Sequence, residues 1–150
     1  MNFELISKAN QSKTEASSTD SNVSRQEMID FYREGAVRTS AAQSLAERSD
    51  ALVIATTQNV LQTYPKMPQS DTCMQDIKYL IQLIIYALIS GHNKTLNEVL
   101  LNGSCKISPF CAIAALNYIK NNHKLVDTEA RLTNECIDDI INELHNILRE

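Results

Sequence analysis

The sequence contains little glycine and proline and no tryptophan. Three glycines and three prolines in 150 residues are too few for the many tight turns of an all-β domain. Basic residues never form a block longer than two, and fourteen of them against eighteen acidic residues leave a formal net charge of -4. The sequence therefore lacks the clusters of basic residues that are typical of nucleic-acid-binding proteins. We expect an all-α protein that does not bind nucleic acid.

Long apolar runs are also missing. The N-terminus lacks the apolar core of a signal peptide, and the strongest run, at 80–89, contains Gln82 and is too short to span a bilayer. We therefore expect a protein made inside a cell that does not span a membrane. The length fits a single domain over residues 1–150.

The four cysteines show no pattern of a metal or redox site. Cys73, Cys105, Cys111 and Cys136 form no C-x-x-C pair and lack histidines at zinc spacing. We expect free thiols and no metal. No histidine or lysine lies where it would activate a cysteine nucleophile, and this predicts a protein that is not an enzyme.

Periodicity and capping patterns predict seven helices. Their starts are marked by Ser24, Thr95, the Ser108-Pro109 pair and Asp127 or Thr128, and their ends by glycines at 35, 91 and 103. Residues 13–22 are predicted to be a polar connection. The predicted helices are 3–13, 24–34, 36–63, 72–90, 94–102, 109–122 and 128–148.

Two of these helices differ in their apolar pattern. The last one is amphipathic, and its apolar stripe is predicted to pack inward. The segment 77–89 is apolar on nearly every side, so we expect it to be the buried centre of the domain, with Gln82 and Tyr86 hydrogen-bonded in the core. The stripe of the last helix consists of Ile137, Ile140, Ile141, Leu144 and Leu148.

A helical domain of this outline is globin-like, which raises haem as a candidate ligand. His92, His123 and His145 are the only histidines, and none lies in the apolar setting that axial ligation requires. Haem is therefore disfavoured.

The start of the central helix carries the most informative cluster. Cys73 and Asp76 are three residues apart and project from the same face of one turn. The helix dipole there favours a thiolate at Cys73. A cofactor with basic nitrogens could be anchored by the sulfur and hydrogen-bonded by the carboxylate. The alternative is that Cys73 is a small core residue and Asp76 a solvated acid of the first turn.

Residues 73–91 read CMQDIKYLIQLIIYALISG and resemble the phycobiliprotein pattern C-x-R-D-x-x-Y-x-L-R-x-x-x-Y-A-x-x-A-G. The likeness continues upstream in residues 31–38, FYREGAVR, and downstream in residues 100–103, LLNG, and in Ile137-Asp138. The Asn102-Gly103 pair is similar to that of β-type chains. The resemblance implies a globin-like all-α fold with two additional N-terminal helices.

The resemblance also implies a pigment site. Cys73 matches the cysteine that attaches a bilin through a thioether, Asp76 matches the carboxylate beneath the pyrrole nitrogens, and Tyr79 matches an aromatic residue of the same helix. The implied cofactor is one phycobilin of the phycoerythrobilin or phycocyanobilin type, attached to Cys73 with the help of a bilin lyase.

Light harvesting or light sensing is the function that this likeness implies. The chain would be a diverged β-type subunit close to phycoerythrin or allophycocyanin chains, paired with an α-type subunit or with a second copy of itself. Its expected place is the cytoplasmic side of the thylakoid membrane, as a peripheral protein, or the cytoplasm.

Several positions depart from the family pattern. The arginine that holds a bilin propionate is Gln75 here, and Lys66 is the nearest cation that could replace it. Asn10 and Gln82 stand where the family has an ion pair between subunits, which removes the charges that give that interface its specificity. These departures leave two alternatives open: a pigment-free helical binding or regulatory protein, and a cysteine-dependent enzyme that processes bilins.

Overall fold

The described part of the chain consists of α-helices. A computed structural model describes residues 18–65, 70–91 and 108–149 and contains four helices and no strand within those ranges. They are α1 (Ser18–Thr63), α2 (Ser70–Ser90), α3 (Pro109–Asn122) and α4 (Asp127–Arg149). The all-α prediction is confirmed. The helices predicted at 3–13 and 94–102, with the end at Gly103, lie outside the described residues.

Helix α1 is longer than the sequence pattern predicted. It runs without a break from Ser18 to Thr63, so the predicted start at Ser24 and the predicted end at Gly35 are both wrong. Residues 18–22 are helical, whereas a polar connection was expected over 13–22. A glycine inside a helix costs only about 1 kcal/mol relative to alanine, and no proline or turn residue follows Gly35 to divert the chain.

The chain divides into two compact units within α1. The first unit is Met1–Ala36 and the second is Val37–Glu150. The second unit contains α2, α3 and α4, together with every buried apolar residue of the described core. The largest fully buried side chains are Leu45, Val60, Ile77, Leu80, Ile81, Ile84, Leu88, Leu116, Ile119, Ile137 and Ile140. Each such side chain contributes about 1.5–3 kcal/mol by leaving water.

Helix α2 provides five of these side chains and packs on α3 and α4. Its opposite face is exposed: Gln82 is on the surface, and Tyr86 and Ile89 expose 52% and 60% of their area. The prediction that Gln82 and Tyr86 are core residues is therefore wrong. The exposed face of α2 contains Lys78, Gln82 and Tyr86, which are four residues apart and so lie on one side of the helix. In the sequence, only the polar Lys78 and Gln82 indicate that this side is exposed.

By length and composition alone, Asp71–Ser90 could cross a membrane, but half of it is buried inside the protein. The central helix of a soluble protein passes the same test, so the helix is explained by its packing on α3 and α4.

The start of α3 and the end of α2 agree with the predicted capping, and α4 begins within one residue of its predicted start. Ser108 has an extended backbone, and its Oγ accepts a hydrogen bond of 3.3 Å from the Cys111 amide, while Pro109 occupies the first turn. Gly91 ends α2 with a φ of 68°, as expected for a glycine after a helix. The predicted stripe of α4 is confirmed, with Ile137, Ile140 and Leu144 buried.

Candidate functional site

The first turns of α2 place the two predicted anchoring residues on its buried face. Cys73 exposes 1% of its area and Asp76 6%. Their spacing of three residues puts thiol and carboxylate on the same side of the helix, as expected. A solvated Asp76, the alternative considered from spacing alone, is excluded by this burial.

Asp76 has an unusual environment for a buried acid. Its Oδ2 atom is inaccessible to solvent and has no hydrogen-bond partner among the described residues. The hydroxyls of Thr56 and Thr133 share that state, but a neutral hydroxyl is far less costly to bury than a carboxylate oxygen. Asp76 therefore offers a buried acceptor that no described group of the protein uses.

The thiol of Cys73 is not activated. Burial raises the pKa of Cys73, and the charges of Cys111 and Asp76 raise it further. The expectation that the helix dipole stabilises a thiolate there is therefore wrong, because the desolvation of a charged sulfur outweighs a field that fades within the first turn. Cys73 is a neutral thiol at physiological pH.

Cys111 is a neighbour of this site that the sequence did not reveal. It lies in the first turn of α3, is buried, and is close enough for its charge to influence the pKa of Cys73. The signal available in the sequence was indirect: Ser108 and Pro109 mark the start of α3, and Cys111 follows within one turn. Only the packing of α2 on α3 brings the two helix starts together.

The other predicted site residues are placed differently. Tyr79 is half-buried and packs against the core three residues after Asp76. Gln75 is exposed, and Lys66 lies outside the described residues. The structure thus brings Cys73, Asp76 and Tyr79 to the inner side of α2 and leaves Gln75 at the surface.

Cys136, on α4, is a second cysteine whose pKa is raised. Burial raises its pKa to about 11, the charges of Asp139 and Glu135 add to this, and Arg38 opposes it. Cys73, Cys111 and Cys136 are all free thiols, as predicted, and Cys105 lies outside the described residues. Neither thiol with a raised pKa is poised to act as the thiolate of a cysteine-dependent enzyme.

Metal and haem chemistry find no support in the described residues. They contain no group of three histidine, cysteine or acidic side chains that could hold a metal ion. His123 is buried, although its neighbours in the sequence are polar, and both of its ring nitrogens already have hydrogen-bond partners.

The donor set at the start of α2 fits an open-chain tetrapyrrole. Protonated pyrrole nitrogens would donate hydrogen bonds, and the unpartnered oxygen of Asp76 would be available to accept them. The thiol that would form the thioether lies one turn away, and Tyr79 offers an aromatic surface on the same helix. In the present arrangement Cys73 is covered, and a cavity that the second unit forms between α1 and the end of α3 touches neither Cys73 nor Asp76.

Comparison with known protein families supports the resemblance seen in the sequence. A family model described as "Phycobilisome protein" matches residues 5–144. The match covers nearly the whole chain and includes α2, α3 and most of α4. This chain therefore belongs to the phycobilisome protein family.

Proposed function

We propose that this chain carries one phycobilin, attached to Cys73 by a thioether, for light harvesting or light sensing. The observation that supports this most directly is the buried, unpartnered Oδ2 of Asp76, one turn from Cys73. A protonated tetrapyrrole would supply the missing donors, and a charge-assisted hydrogen bond is about twice as strong as a neutral one.

Attachment follows from the chemistry of the thiol. The Cys73 sulfur would add to a carbon–carbon double bond of the pigment, so that the S–H bond and the π bond break, one C–S bond forms, and the proton ends on the neighbouring carbon. The reaction needs no oxidant and expels no leaving group. Because burial raises the pKa of Cys73, the thiol needs an external base and local opening, and we assign both tasks to a bilin lyase.

The remaining site residues would have supporting roles. Tyr79 would pack on the pigment beside Asp76, and Lys66 would pair with a propionate in place of the family's arginine, because Gln75 carries no charge. The pigment, of phycoerythrobilin or phycocyanobilin type, supplies absorption, and the protein supplies the rigid surroundings that limit torsional loss of excitation.

We further propose that the chain is a diverged β-type subunit of phycoerythrin or allophycocyanin character. It would pair with an α-type subunit or with a second copy, and would lie at the cytoplasmic side of the thylakoid membrane as a peripheral protein, or in the cytoplasm. Gln82 is exposed on α2 and uncharged, so pairing there would rest on packing and not on the family's ion pair.

A pigment-free binding or regulatory protein is the second candidate. It is favoured by the 1% exposure of Cys73, which belongs to the apolar core cluster. In that case Cys73 only packs in the core, and the unpartnered oxygen of Asp76 lowers the free energy of unfolding.

Co-expression with a bilin and a lyase separates the two candidates. The chain is denatured in acidic urea, and visible absorption is measured on the separated polypeptide. Cys73→Ala is compared with Cys111→Ala, which removes another buried thiol. Asp76→Asn is compared with Asp138→Asn, which removes the carboxylate that pairs with Lys120 at 2.7 Å.

The pigment proposal predicts colour that persists in C111A and disappears in C73A. It also predicts weaker or shifted absorption in D76N and normal absorption in D138N. A colourless wild type supports the pigment-free candidate, and turnover of bilin without attachment supports an enzyme. Lys66→Ala tests the propionate contact separately, because unchanged pigment loading and an unchanged spectrum would reject that role.

A further inference from the structure

The second unit contains an open cavity away from Cys73 and Asp76. It has a volume of about 510 Å3, within the range of roughly 300 to 1,000 Å3 that is usual for small-molecule sites. Its walls come from α1, from the end of α3 and from the turn that follows α3. The lining residues are Arg48, Ala51, Leu52, Ala55, Tyr118, Asn122, His123 and Lys124.

The turn at one wall of the cavity is held by His123. Its Nδ1 accepts a hydrogen bond of 2.9 Å from the Leu125 amide, and its Nε2 lies 2.8 Å from Oδ1 of Asn134. Because Nδ1 is an acceptor, the proton of the neutral ring is on Nε2 and is donated to Asn134. Lys124, the next residue, has a φ of 61°, a left-handed conformation that a lysine keeps only where its surroundings impose it.

Arg48 is fixed beside the same turn. Its Nη1 donates a hydrogen bond of 2.7 Å to the carbonyl oxygen of His123. A guanidinium has five N–H donors, so this contact orients Arg48 and leaves donors for another acceptor. Among the described residues, no carboxylate pairs with Arg48 or Lys124, and none lines the cavity.

The cavity thus combines cations with an apolar floor. Ala51 and Ala55 lie four residues apart on α1, and their short side chains leave space above Leu52. Tyr118 adds an aromatic surface from α3. A chain with a formal charge of -4 nevertheless has two cations and no acid around this cavity, which favours an anionic ligand with an apolar body.

We propose that this cavity binds an aliphatic monocarboxylate. Arg48 and Lys124 hold the carboxylate, and the hydrocarbon chain lies on Ala51, Ala55 and Tyr118. The site is independent of pigment attachment, since it shares no residue with the site at Cys73 and Asp76.

Decanoate, used below its critical micelle concentration, tests the proposal by titration calorimetry on the full chain. Decanol is the matched neutral probe. Arg48→Gln and Lys124→Asn each remove one charge, and asparagine tolerates the left-handed backbone of residue 124. Ala55→Leu fills the cavity. The control variant Lys78→Gln removes an exposed lysine of α2, and Cys73→Ala tests independence from the pigment site.

The expected result is saturable binding of one decanoate. The affinity falls about tenfold in R48Q and in K124N, is lost in A55L, and is unchanged in K78Q and C73A, while decanol binds more weakly than decanoate. The proposal is overturned if decanoate shows no saturable binding, if decanol binds equally well, or if A55L binds like the wild type. If R48Q does not fold after losing the bond to His123, K124N and A55L decide the question.

Discussion

Asp76 and His123 are both polar side chains with less than a tenth of their area exposed, at 6% and 4%. They differ in whether the fold provides hydrogen-bond partners for them. His123 uses both ring nitrogens, and its carbonyl oxygen accepts from Arg48, whereas Oδ2 of Asp76 has no partner among the described residues. A satisfied buried group is part of the scaffold, whereas an unsatisfied buried acid lowers stability unless a ligand completes it. A ligand at Asp76, as proposed above, would account for this contrast.

Replacing His123 should produce the largest effect on stability. His123→Ala leaves the Leu125 amide and Asn134 without partners and opens a small cavity, so the free energy of unfolding should fall by about 2–4 kcal/mol. Urea denaturation of the pigment-free protein measures the change. Exposed His145→Ala should lie within about 0.5 kcal/mol of the wild type. If the two variants lost the same free energy of unfolding, the structural role assigned to His123 would be contradicted.

Alkaline pH should reveal the contribution of a third group, the half-buried thiol of Cys136. Its pKa in the fold is about 11, against an ordinary 9.0, so the folded state holds its proton more tightly. The stabilisation is complete below pH 9 and is lost as the pH rises toward 11, by about 1 kcal/mol once the partial exposure of the thiol is allowed for. Denaturation of the wild type and Cys136→Ala across this range measures it. Parallel curves for the two proteins would contradict the assignment.

Asp76→Asn should change the pigment-free protein much less than His123→Ala does. No hydrogen bond to Oδ2 is lost, and a buried acid is replaced by a neutral amide of the same size, so the free energy of unfolding should stay within about 1 kcal/mol or rise. The same substitution should lower the stability of the pigmented protein, because the pyrrole donors lose a charged acceptor. A large loss of stability without pigment would mean that Asp76 is already satisfied within the fold.

The smallest expected effect on stability belongs to Gln75→Arg, which restores the family's cation. Gln75 is exposed, so the free energy of unfolding should change by less than about 0.5 kcal/mol. Pigment loading should nevertheless rise, because an arginine can pair with a propionate in two parallel hydrogen bonds. Unchanged loading, with Cys73 intact, would show that propionate pairing does not limit attachment.

The sequence predicted a structural feature correctly where residues within a few turns of one another determine that feature. Ser108 and Pro109 predicted the start of α3, Gly91 the end of α2, and the isoleucine spacing the inner face of α4. Predictions failed where the cause lies elsewhere in the chain. Gly35 does not end α1, and Tyr86 is exposed because the elements packed on α2, and not its own composition, decide which face is covered.

The candidate site likewise has some properties that the sequence predicted and others that it could not predict. The spacing of Cys73 and Asp76 placed them on one helix face, and the family likeness indicated a pigment. Neither could predict that the Cys73 thiol is neutral, that Cys111 is its neighbour, or that Oδ2 of Asp76 lacks a hydrogen-bond partner among the described residues. These properties depend on desolvation and on the packing of α3 against α2.

The sequence by itself determined the helical class, several helix boundaries and the membership of the chain in its family, because these depend on residue type and on spacing within a few turns. Only the tertiary structure decided which polar groups are buried, which of them are satisfied, and that Arg48 and Lys124 meet around one cavity. The physical reason is distance along the chain: solvation and electrostatic interactions are set by neighbours in space, and Arg48 and His123 are separated by 75 residues.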